Sequence, residues 1–269
     1  MSPILRSWPT SILIGWVLLA IAGQHAGLDP YSIDLPEILA PPSADHWLGA
    51  DDLGRPVLDR LLSGAGTSLL VALISVSLSA AIGILVGLLA GYFGGLTDRI
   101  ISRLIEVFLA FPGLLLAIAL AAMLGPGIGN VIIALSVMGW VGFARLVRVQ
   151  TLSLRQRDHV QAAVALGQPS SAILRRHLLP LVLAPVWVEA SFGIAAAVIA
   201  EAGLSFLGLG VQPPAASWGA MIRDGVRYLL VAPHLVLAPG IALFLVVVAA
   251  NVLGDRLRDR LDVISRNRP

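Results

Sequence analysis

The chain has 269 residues, 57% of them hydrophobic and 13% charged, with a net charge of +2, and its mean hydropathy is +0.89. Soluble domains carry about 25% charged residues, so the composition excludes one and points to an integral membrane protein, while the small net charge gives no footing for a nucleic-acid partner. The absence of cysteine excludes disulfides, thiolate metal sites and cysteine nucleophiles, and because all 18 basic residues are arginine the P-loop lysine and Schiff-base chemistry are excluded too.

The first apolar stretch is 8–23, preceded by Arg6 and lengthened by Ile4, Leu5 and Trp8 towards the about 20 residues a span requires. Ala20-Ile21-Ala22 resembles a signal-peptidase site, yet an uncleaved first helix is the expectation. Residues 24–66 form the longest polar connection, acidic through Asp29, Asp34, Glu37, Asp45, Asp51, Asp52 and Asp59 and punctuated by Pro30, Pro36, Pro41 and Pro42. They read as mostly irregular, with a short helix near Val57–Leu62. The second run, 67–93, carries Gly83, Gly87 and Gly91 on one helical face, which lets another helix approach closely; packing inside the subunit is preferred over a subunit interface. Asp98, Arg99 and Arg103 mark a short turn. The third run, 104–124, contains Glu106 and is kinked by Pro112. Gly125-Pro126-Gly127 connects it to the fourth run, 128–147. A fifth run spans 181–208, an extramembrane connection 209–232, and a sixth run 233–253, followed by a polar, basic tail over 254–269.

Six spans put both termini on one side. Of the 18 arginines, 14 fall on that side, and Arg55, Arg60, Arg223 and Arg227 fall on the other. The positive-inside rule then assigns the termini to the cytoplasm and the 24–66 and 209–232 loops to the outer face.

Between the fourth and fifth runs lies a polar island at 155–180, RQRDHVQAAVALGQPSSAILRRHLLP, within a connecting region of 145–185. Val160–Leu166 has helical spacing, and Gly167 is placed to end the helix in a left-handed turn. Ser170 or Ser171 can cap a second helix, and Pro180 stops it. A folded helix–turn–helix between spans reads as a docking surface.

The spacing Gln161-Ala162-Ala163, Gly167 and Leu179-Pro180 resembles the EAA loop of ABC-importer permeases. Gln161 stands where Glu is usual and His177 where Ile is usual. HWLGADDLGRPVLDRLLSGAGTSL at 46–69, EAGLSFLGLGVQPPAASWGAMI at 201–222 and NVLGDRLRDRLD at 251–262 are similar to blocks of the dipeptide, oligopeptide and nickel branch of that family, in its C-type permease. The resemblance implies an all-α type I importer fold with six transmembrane helices in one permease domain over 1–269, located in the bacterial inner membrane. It further implies a B-type permease partner, two ATPase subunits that hold ATP and Mg²⁺ in place of this chain, and an extracytoplasmic binding protein that delivers di- or oligopeptides, nickel or a chelated metal. By the same resemblance Gln161, Ala162, Ala163, Gly167, Arg175, Arg176, His177, Leu179 and Pro180 couple to the ATPases.

Other candidates come from the residues. Intramembrane acids are costly and often functional. Glu201, with Ser205 beside it, is a candidate for the translocation path or gate, or for a hydrogen bond across helices; Glu189 reads as packing or a partner contact. Asp51, Gly54 and Arg55 are candidates for an outer vestibule or a binding-protein contact, or for a structural turn. His25, His46 and His234 show no metal-ligand spacing. Two rival functions use these groups: a proton-coupled secondary transporter through Glu189 and Glu201, and an intramembrane serine protease through Ser205 and His234.

Overall fold

The computed structural model describes residues 8–25, 28–44 and 46–266, with backbone alone at 24, 25 and 262–266. Ile4, Leu5, Arg6, Asp45 and Arg268, and the side chains of His25 and Arg266, therefore lie outside the described residues. Among the described residues the chain is helical, and its only extended pairing is an isolated antiparallel bridge between Ala50 and Pro56.

The long helices follow the apolar runs. They are α1 (Trp8–His25), α2 (Val57–Phe93), α3 (Gly95–Leu109), α4 (Gly113–Leu124), α5 (Ile128–Leu154), α6 (Asp158–Ala165), α7 (Ser170–Ile173), α8 (Leu179–Phe206), α9 (Trp218–Val226) and α10 (His234–Arg266). Four helical segments, 57–93, 128–154, 170–206 and 234–261, are long and apolar enough to cross a bilayer; α3 and α4 make a fifth span if taken together, and Trp8–Gly23 is a shorter apolar helix. The six apolar runs thus each have a helical counterpart.

Several boundaries differ from the sequence expectation. The short helix near Val57 is the start of α2, which continues to Phe93, so the loop ends at Pro56 rather than at residue 66. Asp98, Arg99 and Arg103 lie within α3 and not in a turn. The reversal is made by Gly94 and Gly95 alone, with φ of 65° and 54°. Hydropathy catches only the second half of α3 because it is amphipathic: Ile101, Ile105 and Phe108 pack towards Trp140 and Ala144 of α5, while Arg99, Arg103 and Glu106 are exposed.

Pro112 does more than kink a helix, since the axes of α3 and α4 differ by 85°. A residue before proline is pushed out of the α region, and Pro112 itself is extended at ψ 117° as the N-cap of α4. Pro180 fails to stop a helix for the converse reason. It stands in the first turn of α8, directly after a π turn over Leu174–Leu178 in which the Leu179 N–H donates to the Leu174 carbonyl. Proline lacks an N–H and crowds the carbonyl four residues back; the wider turn accommodates both defects, and the chain runs helical from Ser170 to Phe206.

The core forms between α2, α5, α8 and α10, with α1 and α9 against its flanks. α2 meets α5 along the glycine face. A Cβ on Gly87 would lie 2.7 Å from the Ala144 carbonyl oxygen and 2.8 Å from Val147 Cβ, and one on Gly91 would lie 2.6 Å from Thr151 Cβ. At Gly83 the neighbours are the Phe143 side chain and the Trp140 carbonyl. The two backbones are therefore in contact at van der Waals limits, inside the subunit.

Candidate functional site

The polar island folds as a compact tip on the arginine-rich end of the bundle. α6 ends in a Schellman motif: the Gly167 N–H donates to the Val164 carbonyl at 2.9 Å and the Gln168 N–H to the Ala163 carbonyl at 3.1 Å. Gly167 has φ of 74°. The next helix is entered through Pro169, whose side chain offers no cap. Ser170 and Ser171 are its first helical residues rather than its cap, and Ser170 Oγ instead accepts from the Tyr92 hydroxyl at 3.5 Å.

The residues singled out here divide by exposure. Ala163 is buried, and its neighbours Ile173 and Leu178 are fully buried, so these anchor the tip to the bundle. Gln161, Ala162, Gly167, Arg175, Arg176 and Pro180 are exposed, and His177 and Leu179 are half-buried. Gln161 Nε2 donates to the Arg155 carbonyl at 2.8 Å. His177 Nε2 lies 3.2 Å from Gln168 Oε1, with the His159 ring 6.2 Å away. Arg155 caps α2, donating from Nη1 to the carbonyls of Gly91 and Tyr92 at 3.1 and 3.2 Å. Arg148 is also committed internally, in a bidentate pair with Asp98 of α3. Arg175 and Arg176 have no ion-pair partner among the described residues. The sequence reading missed Val164 and Leu166, which are 48% and 80% exposed and give the tip an apolar crown; their signal is an apolar pair flanking the Gly167 turn.

At the opposite end, residues 28–44 and 46–56 fold against α2, with a 3-10 turn at Leu35–Glu37. Asp51 is the knot. Its Oδ1 accepts from the backbone N–H groups of Leu53 and Arg55 at 2.9 and 3.0 Å. Its Oδ2 accepts from Arg55 Nε at 2.7 Å and faces Arg60 Nε at 3.2 Å. Gly54, at φ 75°, passes so close to the Asp34 backbone that no side chain fits. Asp51 and Arg55 are thus buried scaffolding, whereas Trp47 is 73% exposed. Removing one partner of a buried, hydrogen-bonded ion pair costs roughly 3–5 kcal/mol, so Asp51→Ala should unfold this loop, measured as accelerated proteolysis within 28–56 while the spans remain protected.

Asp52 contrasts with its neighbour. Burial, and then the adjacent Asp51 charge, push its carboxyl above the ordinary carboxylate value, against the attraction of Arg55. A raised folded pKa means that Asp52 favours the folded state most below the ordinary carboxylate pKa and loses that contribution as pH rises through the shifted one. Asp52→Asn should therefore raise the thermal midpoint at neutral pH and leave it unchanged at acid pH, read from melting curves across that range.

Glu201 is buried in α8 and bound on several sides. It accepts from Ser205 Oγ at 2.7 Å and from Ser68 Oγ of α2 at 3.1 Å, with the Ser217 hydroxyl as a further partner. Ser217 is also the N-cap of α9, accepting from the Ala220 N–H. The α9 residue Trp218 donates from Nε1 to the Leu61 carbonyl at 3.0 Å. One carboxylate therefore joins α2, α8 and the start of α9, which is the hydrogen bond across helices expected as one of the two readings of Glu201, with partners the sequence does not name. The Ser205 hydroxyl is fully buried and donates to this carboxylate rather than to a histidine. His234 instead packs beneath Gly49.

A bundle of helices long and apolar enough to cross a bilayer, interrupted on its arginine-rich side by a folded tip and closed at the other end by polar locks, is the architecture of a polytopic membrane protein. Residues 83–263 match the family described as binding-protein-dependent transport system inner membrane component. The chain is 44% identical over 250 residues to the glutathione transport system permease protein GsiD of Pectobacterium atrosepticum, covering 91% of this chain and 83% of that protein. It is 45% identical over 254 residues to GsiD of Salmonella paratyphi A, covering 93% and 83%. In fold it resembles the inward-facing MetNI methionine ABC transporter, with a TM-score of 0.60, 23% identity, and coverage of 76% of this chain and 97% of that one. An amino acid ABC transporter crystallised with histidines aligns with a TM-score of 0.53 and 17% identity, covering 74% and 94%. The chain belongs to the binding-protein-dependent inner membrane component family: it is a multi-pass permease subunit of an ABC importer.

Proposed function

We propose that the chain pairs with a second, B-type permease to form a translocation path for peptides of the di- and oligopeptide or glutathione class. The GsiD relatives support peptides over nickel or another chelated metal. Two ATPases drive it, binding ATP and Mg²⁺ on their own residues, and they receive the 155–180 tip in a groove. An extracytoplasmic binding protein delivers the substrate to the exposed face of the 28–56 loop around Trp47. The termini are cytoplasmic.

The observation that carries this reading is the tip itself. It pairs an apolar crown, Val164 and Leu166, with uncommitted cations at Arg175 and Arg176, on a rigid turn at the arginine-rich end. An apolar centre with a charged rim is the anatomy of a protein–protein contact. A gentle-detergent pull-down of the tagged chain, followed by mass spectrometry, tests it. Recovery of a second permease with one or two ATPases supports the assembly. Recovery of the chain alone, still active in uptake, overturns it.

A further inference from the structure

Among the described residues Glu189 has neither an ion-pair nor a hydrogen-bond partner, although it is half-buried in a bilayer-crossing helix. It is ten residues beyond Leu179, about 15 Å along α8 at ~1.5 Å per residue. Its Oε1 faces Gly142 of α5, where a Cβ would stand 3.1 Å away. Two hollows meet at this carboxylate. One, of about 490 Å³, is apolar and bounded by Val76, Leu135, Met138, Phe143 and Ala196. The other, of about 700 Å³, runs between α5, α8 and α10 to Arg157 and Arg258.

A charge at this depth facing lipid tails is costly, so such groups turn towards a bundle interior or a water-filled path and pair with an opposite charge. Among the described residues no cation pairs with Glu189. We infer that Glu189 receives the α-ammonium group of a peptide in transit. The apolar hollow takes the leading side chains, and the arginine-lined cleft takes the carboxylate end. This rests on the peptide-importer reading above and names the chemistry of its path.

The whole importer, with partner permease, ATPases and binding protein, is assayed in proteoliposomes with trialanine and glutathione, both of which carry a free α-ammonium. E189Q should lower import at least tenfold without altering peptide affinity of the binding protein, and E189D should recover a third or more of the loss. Because this subunit has no native cysteine, Ala196→Cys places a unique thiol in the apolar hollow. In nanodiscs a water-soluble maleimide should label it, and either peptide should slow labelling at least threefold, but not in the E189Q background. Absence of labelling means lipid or the partner permease fills the hollow and overturns the inference. Equal protection in the E189Q background overturns it as well, because peptide would then pass without the carboxylate. Failure of the unmodified complex to import either probe overturns the peptide reading and this inference with it, whereas intact import combined with absent labelling, or with equal protection in the E189Q background, overturns the inference alone.

Discussion

Gly167→Val is expected to leave the subunit in the membrane and to cut ATP-driven uptake tenfold or more. Gly167 sits at φ 74° with nothing within 4 Å of where a Cβ would lie, so the substitution meets no steric wall. The penalty is conformational. A left-handed backbone costs an L-residue about 1–2 kcal/mol, and a β-branched side chain is a genuine outlier there. The gain from relaxing is loss of the two Schellman hydrogen bonds and redirection of Leu166 and Val164. The core anchors Ala163, Ile173 and Leu178 are untouched, so insertion and packing survive. Gly167→Asn, which tolerates this conformation, should retain most of the uptake. The comparison requires ATPase activity and uptake measured side by side in proteoliposomes: hydrolysis that continues while uptake falls identifies lost coupling, and normal uptake in the valine variant removes the tip from the transport cycle.

The second large effect belongs to the interior. Gly87→Leu should prevent recovery of folded subunit, and Gly87→Ala should already lower the thermal midpoint of the purified complex. The Cβ alone would come within 2.7–3.0 Å of the Ala144 carbonyl, Val147 Cβ and the Arg148 nitrogen. Two of those three atoms are backbone, which yields only if α2 and α5 separate. Overpacking a tight interior costs about 1–3 kcal/mol per insertion, and the larger side chain adds to that along the whole glycine face. Gly203→Ala is the control. It has nothing within 4 Å and lies in α8, where alanine is favoured over glycine by up to about 1 kcal/mol. Equal melting behaviour of the Gly87 and Gly203 alanine variants would deny the close approach of α2 to α5.

Local signals were readable where the chemistry is local. The glycines at 83, 87 and 91 announce a close helix approach through their spacing, and Gly167 announces its turn through the proline two residues on. What these features meet is not readable, because the partner is distant in the chain: α5 for the glycines, and Ser68, 133 positions away, for Glu201. Apolar content found the spans but only the second half of α3, whose first half mixes polar residues with Ile101. Proline was misread twice in opposite directions. The rule that it breaks helices depends on which turn it occupies, and Pro180 occupies a first turn prepared by a π turn, whereas Pro112 follows a helix that must end before it. For Asp51 and Arg55 the sequence leaves a surface contact and a structural turn equally open; their burial, which is that of the turn, follows from Arg60 on α2, which draws the Asp51 carboxylate inward.

Under the docking proposed above, the continuous helical segment from Ser170 to Phe206 makes a lever of the tip. Its far end is clamped at Glu201, which lies 31 residues from Ser170 and 12 from Glu189, or ~46 Å and ~18 Å at the rise of an α-helix. With that clamp as fulcrum, a sideways push of ~5 Å at the tip arrives at Glu189 as ~2 Å, by the ratio of those two arms. The distances along one helix thus set a gearing: a broad stroke at the tip becomes a small displacement at the unpaired carboxylate, large enough to make or break a single hydrogen bond.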